Sequence, residues 1–204
     1  MARGRRYQAA NVIYHVGSRG VEKRMIFDVL PRDRSVFLSL LAYVVAEYRW
    51  ICHAYCLMGN HFHLVLETPE ANISGGMQYL KGEYAAWFNA VHPDRVGVLF
   101  ERRFWSRIAT TERHVAELAR YVVLNPVRAG LVRVPEAWEW SSYAATVGLR
   151  SRPPFLHCDG VLALFGGSRH GPVTFAQFVG EGLADPARAV MAIRAMDGSD
   201  PFRS

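Results

Sequence analysis

The sequence predicts an α+β fold: a four-stranded, largely antiparallel sheet with two helices on one face, then a third helix and a small helical tail. Strand-like and helix-like patterns follow one another in the order strand, helix, strand, strand, helix, strand before the third helix begins. The second and third strands are separated only by Gly59-Asn60, a length typical of a hairpin, whereas helices join the other strands. Half of the 204 residues are hydrophobic, which is enough for a packed core.

The first three strands and the first helix come from residues 11–67. Strands are predicted at about 11–17, 50–58 and 61–67. Between the first two, apolar residues recur at helical spacing and predict an amphipathic helix over about 33–48. These residues are Phe37, Leu40, Leu41, Val44, Val45 and Tyr48.

The next stretch adds two helices and one strand. A second helix is predicted over about 72–91, where apolar residues again recur every three or four positions. A fourth strand follows at about 104–110. Thr111 then caps a third helix, which Pro126 and Gly130 close. This order of elements is a ferredoxin-like arrangement.

The sequence pattern of the chain changes near residue 150. Beyond it, short apolar patches alternate with Gly- and Pro-containing stretches. We interpret residues 149–204 as a C-terminal tail that is partly helical and packs on the main domain, and we expect its last dozen residues to be disordered.

Composition restricts the class of protein. The net charge of +6 and the pI near 9.5 are carried mostly by arginine, which suggests an anionic partner. No apolar run approaches the ~20 residues of a membrane span, and no hydrophobic signal segment follows the basic N-terminus. Three cysteines argue against a disulfide scaffold and fit a reducing compartment, so we expect a cytoplasmic protein without a membrane partner.

The third predicted strand carries two histidines at alternate positions. Because strand side chains alternate between faces, His61 and His63 point the same way, while Phe62, Leu64 and Leu66 point into a core. The two imidazoles lie ~7 Å apart along the backbone, close enough to converge on one metal ion. For this pattern alone, a half-buried strand that happens to hold two histidines is the commoner explanation.

The third helix presents a further set of polar side chains. An apolar stripe should face the sheet, and beside it runs a polar stripe of His114, Glu117, Tyr121 and Asn125. A helix lying across the sheet could present Tyr121 and Asn125 to the face of His61 and His63. Two imidazoles and the amide oxygen of Asn125 would give an ion three protein ligands and leave positions open for a scissile phosphate. Asn125 could also cap the helix before Pro126.

Three ordered motifs resemble those of a known family. They are MGNHFHLVLETP (58–69), YVVLNPVRAG (121–130) and WSSY (140–143). In this order they resemble the HUH single-tyrosine transposases, and in particular their REP-associated branch. The similarity covers residues 8–148, which we take as one domain. One departure is Gly59, where the family usually has proline, and it concerns the stiffness of a turn rather than the chemistry.

The resemblance implies an enzyme that cuts and rejoins single-stranded DNA near palindromic hairpins through a 5′-phosphotyrosine intermediate. It implies Tyr121 as the nucleophile, and His61, His63 and Asn125 as ligands of a divalent ion. We expect Mg²⁺ in cells, with Mn²⁺ able to substitute. Such an ion stabilises charge on phosphate oxygens, and a phosphotyrosine keeps the energy of the broken bond, so no ATP is needed. Monomer and homodimer both stay open.

Basic residues cluster around the fourth strand and the third helix: Arg102, Arg103, Arg107, Arg113, Arg120 and Arg128. Arginine supplies phosphate contacts, and aromatic rings supply stacking surfaces for unpaired bases. We therefore predict DNA contacts for Arg102, Arg103, Arg107, Arg120 and Arg128. Phe104 and Trp105 lie among them, and core positions are the slightly favoured interpretation for both rings.

Two other functions stay open at this point. A metal-dependent phosphodiesterase that uses His61, His63 and Asn125 with water as the nucleophile would leave no covalent protein–DNA adduct. A non-catalytic module that binds single-stranded nucleic acid would cut nothing and would ignore chelators. Tyr143 of the WSSY segment is either structural or in contact with DNA. The remaining candidates lack a partner at a telling spacing and are treated as ordinary polar residues: His15, His53, His92 and His114.

Overall fold

A computed structural model describes residues 8–27, 29–95 and 97–184. Its elements along the chain are β1 (Val12–Arg19), α1 (Asp33–Glu47), β2 (Ile51–Leu57), β3 (His61–Thr68), α2 (Ile73–Val91), β4 (Trp105–Ala109), α3 (Glu112–Arg128), α4 (Tyr143–Thr146), α5 (Asp159–Ala163) and α6 (Gly167–Ala184). The sheet has the order β2-β3-β1-β4 with antiparallel pairing throughout. The predicted α+β, ferredoxin-like fold is confirmed. Among the described helices, none is both long enough and apolar enough to cross a membrane.

The two faces of the sheet carry different helices. On β3, the ring of Phe62 lies 4.7 Å from that of Phe37 on α1, whereas the ring of the next residue, His63, lies 5.6 Å from that of Tyr121 on α3. Tyr84 of α2 also packs on Phe37, at 5.2 Å. Because successive strand residues point to opposite faces, α1 and α2 cover one side of the sheet and α3 covers the other. The fold therefore places α3 over the histidine face.

The third helix begins as predicted and ends differently. Thr111 caps it, since its hydroxyl accepts a hydrogen bond from the His114 backbone N–H at 3.1 Å. The prediction that Pro126 closes the helix is wrong, because α3 runs through Pro126 to Arg128. Proline has no N–H to give the Val122 carbonyl, and the Asn125 side-chain amide reaches that oxygen at 3.4 Å instead. Asn125 thus lies within the helix and is not its C-terminal cap.

The WSSY segment closes the outer edge of β2. The Leu57 backbone N–H donates to the Trp140 carbonyl at 2.9 Å, and the Ser142 hydroxyl accepts from the Tyr55 backbone N–H at 3.1 Å. Tyr143 is buried and its ring packs 6.4 Å from that of Phe175 on α6. The segment is therefore a structural cover for an otherwise unpaired strand edge.

The described part of the C-terminal tail is partly helical, as predicted, and its helix α6 packs on α3. The guanidinium of Arg120 lies 4.0 Å from the centre of the Phe178 ring and donates to the Phe178 carbonyl at 3.2 Å. The segment predicted to be disordered lies outside the described residues. The division into a domain at 8–148 and a tail at 149–204 stays a prediction.

Candidate active site

The two histidines of β3 occupy one face of the strand, as the alternation predicts. Their ring centres are 5.0 Å apart and their planes nearly perpendicular. His63 is buried and His61 is half-buried. Trp105 at the start of β4 packs on the same cluster, with its ring 5.7 Å from that of His63. One end of the pair thus faces the interior and the other reaches the surface.

Tyr121 joins the histidines from the facing helix. Its half-buried ring lies 5.6 Å from the ring of His63 and 5.7 Å from the ring of His15, perpendicular or nearly so to both. The apolar neighbours Leu118 and Val122 are fully buried against the sheet, which fixes the rotation of α3 about its axis. The two motifs that lie about sixty residues apart in the sequence therefore form one site.

His15 belongs to this site, although the sequence did not single it out. Its Nε2 lies 3.1 Å from Nδ1 of His63, and the two rings stack at 5.2 Å. The interpretation of His15 as an ordinary polar residue is wrong. No spacing rule could have found it, because the contact depends on how β1 pairs with β3, where Gly17 lies opposite His63.

Burial keeps the inner imidazoles neutral. Desolvation, followed by the charges of Arg107 and His114, lowers the pKa of His15 to about 3. Desolvation, with His61 and His15 beside it, also holds the pKa of His63 well below its ordinary value. A neutral imidazole keeps a lone pair on one ring nitrogen, which is the form that binds a metal ion.

The donor set fits a divalent ion with open positions. In the described part of the chain, no group of three or more His, Cys, Asp or Glu side chains is placed to hold a metal. An ion held by the imidazoles of His61 and His63 would need a further ligand of another kind, such as a neutral oxygen. Asn125 carries an amide oxygen, and its amide nitrogen is turned to its own helix, 2.8 Å from the Tyr121 carbonyl. Two imidazole nitrogens, one neutral amide oxygen and a phosphate oxygen of the substrate are ligand types that suit a divalent ion.

The structure separates the predicted DNA-binding arginines into two groups. Arg102 and Arg103 are exposed on the loop before β4, and Arg107 is half-buried on β4, where it lies opposite His15. By contrast, the Arg120 side chain is 8% exposed, ion-paired to Glu117 and covered by α6. Arg120 as placed has no surface to offer a phosphate, which does not support its predicted role.

Arg128 is half-buried, so its exposure is intermediate between that of Arg102 and Arg103 and that of Arg120. Its guanidinium lies 5.1 Å from the centre of the Tyr121 ring, two helical turns beyond the tyrosine. Its three side-chain nitrogens are buried and make no hydrogen bond within the described residues. Burial accordingly lowers the pKa of Arg128, while the Tyr121 phenol acts in the opposite direction.

The remaining candidates have structural partners. His53 pairs with Glu67 at 3.0 Å, and His92 pairs with the buried carboxylate of Asp33 at 3.1 Å. Phe104 is buried in the core, as favoured, whereas Trp105 lies half-buried against the histidines. None of these contacts could be read from spacing alone.

A family model described as "Transposase IS200 like" matches residues 8–125, which include the histidine strand, Tyr121 and Asn125. The chain belongs to the IS200-like transposase family. It is thus a member of a group of enzymes that cut and join DNA, and the predicted resemblance to this family is confirmed.

Two relatives agree with this membership. A curated Haemophilus influenzae protein, whose name assigns it provisionally to the REP-associated tyrosine transposases, is 27% identical over 136 residues, which span 57% of this chain and 77% of the relative. The solved structure of a REP-associated tyrosine transposase bound to a REP hairpin superposes with a TM-score of 0.62 at 18% identity. It covers 77% of this chain and 92% of that chain. At that identity, the structural likeness shows the shared fold.

Proposed function

We propose that this transposase cuts and rejoins single-stranded DNA beside a hairpin, with Tyr121 as the nucleophile. One observation carries the proposal: α3 holds the Tyr121 ring 5.6 Å from that of His63, on the face of the sheet that also carries His61. Hairpin DNA is favoured because the structural relative is bound to a REP hairpin and shares the fold of this chain.

In this proposal, His61, His63 and Asn125 hold a divalent ion, Mg²⁺ in cells with Mn²⁺ able to replace it. The neutral state of the buried His63 supports a ligand role, because a protonated imidazole cannot bind a metal. When bound, such an ion would polarise the scissile phosphate and stabilise the departing oxygen.

The tyrosine forms a covalent bond with the 5′ side of the break. Its phenolic oxygen attacks phosphorus, the bond from phosphorus to the 3′ oxygen breaks, and a 3′ hydroxyl is released. The half-buried ring is fixed by perpendicular contacts with His15 and His63, which restricts the direction of attack. The polarity of the break follows from the resemblance to the single-tyrosine transposases.

Arginines beside the site would bind the phosphates of the strand. Arg107 lies on β4 across from His15, and Arg102 and Arg103 are exposed on the loop just before β4. Arg128 lies against the Tyr121 ring, where its charge could stabilise the phosphotyrosine that would form. Arg120 is left out of this set because its contacts with Glu117 and Phe178 bury it.

The experiment that tests the proposal is adduct formation by the whole chain. A labelled single-stranded DNA hairpin with flanking unpaired sequence is incubated with Mn²⁺ and then denatured. We expect a labelled band at the mass of protein plus DNA, which a chelator abolishes. If the DNA is cleaved but no adduct is seen under rapid quenching, the nucleophile is water and not tyrosine. If the DNA is bound but not cut, the catalytic proposal is wrong.

A further inference from the structure

The side-chain amide of Asn60 has a defined orientation. Its nitrogen, Nδ2, donates to the backbone carbonyl of Lys23 at 2.9 Å. A carbonyl can only accept, so the atom that faces it must be the amide nitrogen. The other end, Oδ1, therefore faces Nδ1 of His61 at 2.6 Å.

This contact determines the tautomer of His61. An amide oxygen cannot donate a hydrogen bond, so Nδ1 of His61 must carry the proton that the 2.6 Å contact requires. In a neutral imidazole, the other nitrogen then carries the lone pair. Nε2 is thus the atom of His61 that can bind a metal ion.

His63 makes the equivalent contact with a different partner. Its Nδ1 lies 3.1 Å from Nε2 of His15, and the two residues are 1% and 3% exposed. Either ring could be the donor in an isolated pair. Only the arrangement in which Nδ1 of His63 donates leaves the lone pair on its Nε2, the nitrogen away from His15. Trp105 packs perpendicular to the His15 ring at 4.6 Å and holds it in place.

We propose that Asn60 and His15 are positioning residues that hold His61 and His63 in the tautomer whose Nε2 binds the metal ion. The inference rests on the proposed function, which makes the two histidines ligands. It goes further because it assigns a role to two side chains that are not among the proposed metal ligands.

Backbone hydrogen bonds hold the turn between β2 and β3 without the side chain of Asn60. The backbone already secures it: Met58 N–H donates to the His61 carbonyl at 2.9 Å, and Gly20 N–H donates to the Asn60 carbonyl at 2.8 Å. The side chain can therefore be changed while these bonds persist. Replacement of Asn60 should disturb the histidine more than the hairpin.

The test measures Mn²⁺ binding by calorimetry in the absence of DNA, together with histidine tautomers by long-range proton–nitrogen NMR of the metal-free protein. Asn60→Ala and His15→Phe remove the acceptors, and each should weaken Mn²⁺ binding by about 10- to 100-fold. Asn60→Asp and His15→Gln keep an acceptor oxygen and should stay close to the parent. His53→Phe, which removes a buried histidine bonded to Glu67 elsewhere, is the matched control and should bind Mn²⁺ normally.

The NMR measurement decides the matter even if a variant fails to fold. The parent should show His61 and His63 with protonated Nδ1 and unprotonated Nε2, and the opposite tautomer for His61 would overturn the proposal. Equal Mn²⁺ affinity in the parent, Asn60→Ala and His15→Phe would overturn it as well.

Failure of the proposed function gives a different pattern. A parent that binds Mn²⁺ in an Asn60-dependent manner but forms no DNA adduct would remove the tyrosine chemistry and support the positioning role. A parent that forms the adduct but binds no Mn²⁺ through His61 and His63 would overturn the metal assignment and this inference with it.

Discussion

The Tyr121 ring on α3 stands perpendicular to the His63 ring on β3, with 5.6 Å between their centres. The contact joins two motifs that lie on opposite layers of the fold. It depends on an apolar stripe on α3 that packs into the sheet and on strand alternation that directs His63 toward the helix.

The first prediction concerns the metal ligands. His61→Ala combined with His63→Ala should reduce DNA cleavage by at least about 100-fold, since loss of a group that merely supports a ligand already costs 10- to 100-fold. Rates are measured with labelled hairpin DNA across a range of Mn²⁺ concentrations. His53→Phe serves as the control for loss of a buried histidine. Cleavage at the parental rate in the double variant would remove the metal site.

The second prediction concerns the exposed arginines. If they bind phosphates, the logarithm of the affinity for single-stranded DNA should fall with the logarithm of salt concentration by about 0.7 per contact. Arg102→Ala with Arg103→Ala should lower the slope by up to about 1.4. Arg169 is exposed on α6, so Arg169→Ala is a matched control that should leave the slope unchanged. A parent without salt dependence would argue against phosphate contacts altogether.

The third prediction separates Arg120 from the arginines near the site. Arg120→Ala would leave the buried Glu117 carboxylate without its cation and remove the contact with Phe178, which should lower the free energy of unfolding by about 3–5 kcal/mol. Urea denaturation measures the loss. Arg120→Met with Glu117→Leu should recover most of it, because no charge is then stranded. If Arg120→Ala keeps full stability and instead weakens DNA binding, Arg120 contacts DNA and its buried ion pair does not stabilise the fold.

The fourth prediction concerns pH. The folded-state pKa of His15 is about 3, below its ordinary value of 6.5. Between pH 6.5 and pH 3, therefore, the His15 imidazole is protonated in the unfolded chain but not in the folded one. The stabilising contribution is complete above pH 6.5 and is lost as the pH falls toward 3, by about 1.4 kcal/mol per pH unit. His63 acts in the same direction. Urea denaturation in the presence of a chelator gives the free energy of unfolding at pH 6.5 and at pH 5.0. The decrease between these two pH values should be about 2 kcal/mol smaller in His15→Phe than in the parent. Parallel curves for parent and variant would contradict this.

The sequence predicted the sheet, its hairpin and the face of the two histidines because each depends on local periodicity or on a short link. Helices α1 and α2 agree with the predicted ranges to within one residue. The burial of Arg120 was missed because it depends on where α6 packs, and nothing in the spacing of the tail specifies that.

Contacts across the sheet and within α3 were also out of reach. The role of His15 depends on β1–β3 pairing, which no single strand reveals. Pro126 within α3 was missed for a related reason, since the Asn125 amide supplies the hydrogen bond that proline cannot.

Whether Tyr121 is the nucleophile is best measured by comparing the parent with Tyr121→Phe. The substitution removes one oxygen and keeps the ring that packs on His15 and His63, so folding and DNA binding should match the parent. We predict that the parent forms a covalent adduct with hairpin DNA and that Tyr121→Phe forms none. Digestion and mass spectrometry should place the adduct on Tyr121. An adduct of equal yield in Tyr121→Phe, or one mapped to Tyr143 or Tyr84, would show that Tyr121 is not the nucleophile.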